Sequence, residues 1–170
     1  MKIYTKKGDT GQTTSISGER TDKDHPLIEA LGTLDEVNAT TGMLRSKLPP
    51  HHPWKERLYT LQKTMMSVMS RLGNNTGEED PGLKQAVTDC ETWIDEIQSE
   101  KDQDKPFRFI LPGTNETEAL CHMARTHTRR AERRIISLNK QSPVNPQIMS
   151  FINLLSDLFF VLAMKAAVIF

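Results

Sequence analysis

The sequence predicts an all-α fold, a bundle of five helices preceded by an irregular N-terminal arm. Three observations carry this reading. Prolines and capping residues recur at intervals, apolar residues between them repeat at three and four, and strand alternation and hairpin signals are scarce. Pro26, Pro53, Pro81 and Pro146 stand at plausible first helical positions, where a missing N–H costs nothing because it has no intrahelical partner. Asp80 and Asn145 precede two of them as N-caps. Asn115, with Glu118 three residues on, has the form of a capping box and follows the Pro112-Gly113 turn. These signals place helices over 26–47, 53–72, 81–100, 115–139 and 146–168. In the last of them Phe151, Leu154, Leu155, Leu158, Phe159 and Leu162 form one apolar stripe.

With 170 residues the chain suits one domain, 1–170, made of the arm (1–25) and the bundle (26–170). Lys plus Arg equals Asp plus Glu at 22 each, and a chain without a basic surplus is not expected to bind nucleic acid. Cys90 and Cys121 lack metal-ligand spacing and read as free thiols in a reducing cytosol, so a cytoplasmic location is expected. Met1-Lys2-Ile3-Tyr4 runs straight into polar residues, unlike a signal peptide. The run from Phe151 to Phe170 raises a membrane question, but Asn153, Ser156, Asp157 and Lys165 interrupt it. Each would be costly in lipid, so a buried helix is expected and no membrane partner.

Three clusters carry chemistry. The first is the arm, Thr5-Lys6-Lys7-Gly8-Asp9-Thr10-Gly11-Gln12-Thr13-Thr14-Ser15, then Gly18-Glu19-Arg20 and Lys23. Its glycines permit close backbone approach, and its hydroxyls and lysines can donate to phosphate oxygens. No Gly-Lys-Ser/Thr follows, so it is not a Walker loop. A flexible polar terminus has the same composition. Asp9-Thr10-Gly11 matches the aspartic-protease triplet, but that chemistry needs paired aspartates on a β scaffold.

The second cluster is an arginine helix carrying Arg125, Arg129, Arg130, Glu132, Arg133 and Arg134. At about 100° per residue, Arg125, Arg129 and Glu132 share a face. Five arginines without a lysine suit bidentate contact with phosphate or carboxylate, although a solvated basic face is the ordinary alternative. His122 and His127, five apart, do not form a ligand pair and read as packing or surface residues, as do His25, His51 and His52. The third cluster is Phe109-Ile110-Leu111-Pro112-Gly113, an apolar segment ending in a turn, together with Asn153 and Asp157 inside the apolar last helix. If buried, those two need partners, whether a ligand, a neighbouring subunit or a core network.

In order and at these distances the clusters resemble the PduO-type ATP:cob(I)alamin adenosyltransferases over nearly the whole chain. The matching segments are Lys2 to Lys6, Gly8-Asp9-Thr10-Gly11, Gly18-Glu19-Arg20, and Glu29-Ala30-Leu31-Gly32-Thr33-Leu34-Asp35-Glu36-Val37-Asn38. They continue with Phe109 to Gly113, Arg125-Thr126-His127-Thr128-Arg129-Arg130-Ala131-Glu132-Arg133, and Phe151-Ile152-Asn153-Leu154-Leu155-Ser156-Asp157. The resemblance implies a homotrimer with ATP and Mg2+ bound between subunits. Thr5, Lys6, Lys7, Gly8, Asp9, Gly11, Thr13, Thr14 and Lys23 would wrap the triphosphate. Arg129, Arg130, Glu132, Arg133 and Asn153 would complete the nucleotide site, with the metal near Glu132 and Asn153. Asp35 would pair with Arg125 of a neighbouring subunit, and Phe109 would face the corrinoid.

The implied reaction transfers the adenosyl group of ATP to the cobalt(I) of a reduced corrinoid such as cobalamin. Cobalt(I) is itself the nucleophile, so the protein's tasks are orientation and charge stabilisation, by Arg129, Glu132 and Phe109 above all. The chain departs from the family pattern at Thr10, Ser17, Leu31, Thr114, Leu154 and Met164-Lys165. A non-catalytic ATP- or corrinoid-binding module, and a helical assembly protein with an arginine face, are the alternative expectations.

Overall fold

The computed structural model describes Tyr4 and residues 6–74, 79–99 and 111–169. Five helices form where the start signals stand: α1 (Pro26–Lys47), α2 (Trp54–Asn74), α3 (Pro81–Ser99), α4 (Glu116–Asn139) and α5 (Pro146–Ile169). Proline opens α1, α3 and α5 as expected, while α2 begins one residue after Pro53. Asn115 caps α4, its side-chain oxygen accepting from the Glu118 N–H at 2.8 Å. The Glu118 carboxylate does not return to the Asn115 N–H, as a capping box requires. It reaches the backbone N–H groups of Gly113 and Thr114 at 2.7 and 3.1 Å. His25 caps α1 with Nδ1, which accepts from the Leu27 N–H.

The arm is more regular than expected. Gln12–Thr14 (β1) and Arg20–Asp22 (β2) pair antiparallel, with Thr13 opposite Thr21, and Ser15 to Glu19 make the turn. Threonines favour this extended, half-buried geometry, and Gly11 and Gly18 adopt φ of 81° and 88°, which side chains with a Cβ resist. Ile16, at the hairpin tip, lies against Gly73 at the end of α2. A Cβ there would stand 2.6 Å from the isoleucine Cδ1, so any larger residue would require the exposed Ile16 side chain to shift.

The helices are arranged in the spatial order α2, α1, α4, α5, α3, with α2 and α3 in thin contact closing the ring. A groove of about 400 Å³ lies along that seam, lined by Thr60, Thr64, Cys90 and Trp93 among others. The centre is filled by α5, whose Phe151, Ile152, Leu155, Leu158, Phe159 and Leu162 are fully buried with Leu34, Leu44, Leu58, Met65 and Ile135. By length and composition alone α5 is long and apolar enough to cross a membrane, a test that core helices also pass. Here it serves as the core helix, and its apolar residues face α3 and α4. Leu154, where the family pattern has arginine, packs half-buried on this core.

Both cysteines are free and buried, and burial pushes each thiol pKa up to about 12. The reactive thiolate is therefore scarce at neutral pH. Native protein at pH 8 is expected to resist iodoacetamide at both positions, and denaturant is expected to expose two equivalents. Rapid alkylation of the native chain, read by mass spectrometry, would contradict this packing.

Candidate functional site

The site is built on the faces of α4 that remain after packing. α4 runs antiparallel to α1 on one side and α5 on the other. On the α1 side His127 Nδ1 meets Thr40 Oγ1 at 2.9 Å, Arg130 is ion-paired with Glu36, and Arg134 lies 3.4 Å from Glu29. These contacts divide the arginines. Arg130 and Arg134 are held against α1. Among the described residues, the guanidinium groups of Arg129 and Arg133 make no hydrogen bond or ion pair, and both residues are exposed.

On the α5 side two contacts fix the register. Asn115 Nδ2 donates to the Ala166 carbonyl at 2.9 Å, and the His122 and Phe160 rings meet edge-on with centroids 6.3 Å apart. Seven residues onward on α4 and seven back on α5, about 10 Å along both axes, bring Arg129 level with Asn153. Asn153 and Asp157 are exposed, so the core network left open by the sequence is not needed. Glu132 is half-buried with no side-chain partner among the described residues. A carboxylate in that setting invites a cation or a charged donor.

Upstream on the same stripe of α4 stand Glu118, His122 and Arg125, at i, i+4 and i+7. The Arg125 Nε–H donates to His122 Nδ1 at 3.3 Å, and His122 Nε2 lies 3.1 Å from Glu118 Oε1. That last approach is close but out of line, so Oε1 has no aligned donor. Asp35 is exposed on α1, away from its Glu29 and Glu36 face, and has no ion-pair partner among the described residues of its own chain.

The arm forms a second group of predicted residues. The Lys7 carbonyl accepts from Arg20 Nη2 at 3.1 Å, and the Lys23 N–H donates to the Gly11 carbonyl at 2.9 Å. Lys23 Nζ lies across Gly8, where a Cβ would come within 3.3 Å of it. Lys6 adopts φ of 58° beside Asp9, whose N–H donates to the Lys6 carbonyl. Thr13 and Thr14 are on β1. The turn from Gly8 to Gly11 is thus bordered by Lys7 and Lys23. Among the described residues, 6–24 make no hydrogen bond or ion pair to α4 or α5. Thr5 and Phe109 lie outside the described residues.

Sequence reasoning missed Glu29, Glu36 and Glu118. The first two are about a hundred residues from their arginines, beyond any local pattern. Glu118 carried a signal, its i, i+4, i+7 spacing to His122 and Arg125. Among the described residues no group of three His, Cys, Asp or Glu gathers as a metal cage.

Burial holds the His122 imidazole below its ordinary pKa of 6.5; Arg125 pushes the same way and Glu118 opposes. The unfolded chain therefore takes up this proton more readily than the folded one. Stability from the neutral ring is present above the unfolded pKa and is lost as pH falls through it. In urea titrations between pH 7.5 and 5, His122→Phe is expected to flatten part of the decline in unfolding free energy. An unchanged pH slope in that variant would mean that His122 is charged in the fold.

The comparisons cover arm and bundle together. Residues 3–166 match the family model for cobalamin adenosyltransferase. The corrinoid adenosyltransferase of Bacillus subtilis is 39% identical over 167 residues, 96% of this chain and 85% of that protein. The corrinoid adenosyltransferase PduO of Citrobacter freundii is 35% identical over 170 residues, and this chain spans 49% of its length. A phenylalanine-to-alanine variant of the PduO-type ATP:corrinoid adenosyltransferase from Lactobacillus reuteri, complexed with cobalamin and ATP, has a TM-score of 0.87 at 32% identity. That match covers 98% of this chain and 93% of the other. An arginine-to-lysine variant of the Lactobacillus reuteri enzyme, complexed with ATP, has a TM-score of 0.83 at 35% identity, covering 98% and 94%. Since the match takes in both the glycine-rich arm and the arginine-bearing helix, this chain belongs to the cobalamin adenosyltransferase family.

Proposed function

We propose that this protein transfers the adenosyl group of ATP to the cobalt(I) of a reduced corrinoid, releasing triphosphate and forming adenosylcobalamin. The observation that carries the reading is the division of the α4 arginines. Arg130 and Arg134 are engaged by Glu36 and Glu29, whereas among the described residues the guanidinium groups of Arg129 and Arg133 are unpaired beside Glu132, with Arg129 level with Asn153. Unpaired guanidinium groups facing solvent form an anion site, and triphosphate is the anion this reaction must bind and release. On this reading Arg129, Arg130, Arg133, Glu132 and Asn153 hold the nucleotide, with Arg130 also paired to Glu36.

The chemistry asks little covalent work of the protein. Cobalt(I) attacks the ribose methylene carbon, a cobalt–carbon bond forms, and the carbon–oxygen bond to triphosphate breaks with its electron pair leaving on oxygen. Holding that carbon in line and neutralising the departing charge can each supply several kcal/mol of barrier, on the order of 3–10. Lys6, Lys7, Gly8, Asp9, Gly11, Thr13, Thr14 and Lys23 of the arm would enclose the phosphates, with Thr5 beside them. Phe109 would shield the cobalt from water and from a lower ligand.

Mg2+ fits the donors present. This ion commonly takes one or two carboxylates, substrate phosphates and water, and the half-buried Glu132 and exposed Asn153 offer that much without a protein cage. When bound it would screen phosphate charge. A homotrimer with ATP between neighbours would account for the lack of hydrogen bonds from residues 6–24 to α4 or α5, and for Asp35 and Arg125 lacking carboxylate–guanidinium partners among the described residues of their own subunit. Buried, free thiols suit the cytoplasm as the place of work.

The test is an anaerobic assay with ATP, Mg2+ and chemically reduced cobalamin, following the absorbance change on cobalt–carbon bond formation. Turnover by the wild-type chain is expected, and its absence would refute the reading. Arg129→Ala is expected to lower kcat by about 100-fold or more; near-normal kinetics would mean the phosphate assignment is wrong. Phe109→Ala is expected to slow adenosylation far more than it weakens ATP binding, and equal effects would count against a corrinoid-facing role. Light scattering is expected to give the trimer mass. A monomer would remove the basis for an intersubunit site.

A further inference from the structure

The face of α4 that bears Arg129 continues upstream into the interior. There it ends on Glu118, fully buried at 0% exposure in the first turn of the helix. A buried carboxylate is retained only where several donors hold it. Its Oε2 accepts from the Gly113 and Thr114 backbone N–H groups, closing the turn in which Gly113 takes φ of 118°. Its Oε1 faces His122 Nε2 at 3.1 Å, and His122, 6% exposed, takes the Arg125 Nε–H on Nδ1.

The proton positions follow from the donors. Arginine has only N–H groups to offer, so His122 Nδ1 must carry a lone pair. A neutral imidazole then holds its proton on Nε2, the nitrogen that lies 3.1 Å from Glu118 Oε1 but out of line with it. One carboxylate thus fixes the Pro112-Gly113 turn with one oxygen. The other lies 3.1 Å from the ring edge that carries the proton in the tautomer accepting from Arg125, so its charge favours that tautomer without an aligned hydrogen bond.

We propose that Glu118 and His122 are positioning residues for adenosyl transfer, coupling the Pro112-Gly113 turn to the guanidinium of Arg125. The inference rests on the adenosyltransferase reading above. Its consequence is that the turn and Arg125 are set by one rigid element of α4 and do not move independently. Neither side chain touches ATP or the corrinoid. Their effect is on the alignment of the reacting atoms, not on nucleotide affinity.

The experiment has two arms. In the first, 15N spectra of histidine-labelled wild-type protein report the His122 tautomer without any assay. The Nε2–H form is expected, and shifted on Glu118→Gln, whose amide can present a donor to Nε2. An Nδ1–H form in the wild type would overturn the proposal, whether or not the adenosyltransferase reading stands. In the second, ATP affinity, corrinoid KM and kcat are measured for Glu118→Gln, His122→Phe and the double variant. About tenfold loss of kcat over corrinoid KM is expected in each single variant, with ATP affinity within about twofold and no further loss in the double variant. Additive losses, losses matched by weaker ATP binding, or wild-type kinetics in a folded His122→Phe would overturn it. A wild-type enzyme that does not turn over refutes the functional reading alone, and the tautomer measurement then decides the coupling.

Discussion

α4 is gripped from both sides, by α1 through ion pairs and by α5 through a continuous apolar seam, and the candidate site consists of what those two contacts leave over. The α5 seam is the dominant constraint. It buries Phe151, Leu155, Leu158, Phe159 and Leu162, each side chain contributing roughly 1.5–3 kcal/mol of transfer free energy. It also fixes the rotation of α4 about its own axis. The Arg130–Glu36 and Arg134–Glu29 pairs, at exposures near half, contribute at most about 1 kcal/mol apiece. Their effect is selective: they hold two guanidinium groups toward α1, so that Arg129 and Arg133 are the ones left unpaired among the described residues.

That arrangement suits a reaction in which the nucleophile belongs to the substrate. A helix face of unpaired arginines, a half-buried glutamate and a glycine-rich hairpin with lysines at its turn all address phosphate charge. Oriented cations in a partly dehydrated site need no reorganisation as the leaving group gains charge. The upstream Glu118–His122–Arg125 line extends the same face into the core, where a fixed carboxylate and imidazole take the place of solvent. Rigid support for exposed arginines is what an aligned transfer requires.

Much of the bundle was legible because helix ends are marked locally. Pro26, Pro81, Pro146 and Asn115 stand where the helices begin, and the Phe151 to Leu162 stripe named the core. The hairpin was not legible, since strands of three residues are too short for alternation to register and Thr13 reads as polar. Nor was the sorting of the arginines, because Glu29 and Glu36 lie in a different helix and periodicity gives a face without naming its neighbour. Glu118 was read as half of a capping box. Its backbone N–H does meet Asn115, but its carboxylate turns to Gly113 and Thr114, a choice that depends on the shape of the preceding turn. The roles of the arm and of Asn153 came from likeness to a family, not from composition.

The central claim is that the packing of α4, not its total charge, creates the phosphate site. Isothermal titration of ATP into Arg129→Ala and Arg134→Ala tests it most directly, because each variant removes one arginine from the same helix. ATP binding at least about tenfold weaker is expected in Arg129→Ala, and affinity within about twofold of wild type in Arg134→Ala. Equal losses in the two variants would contradict it.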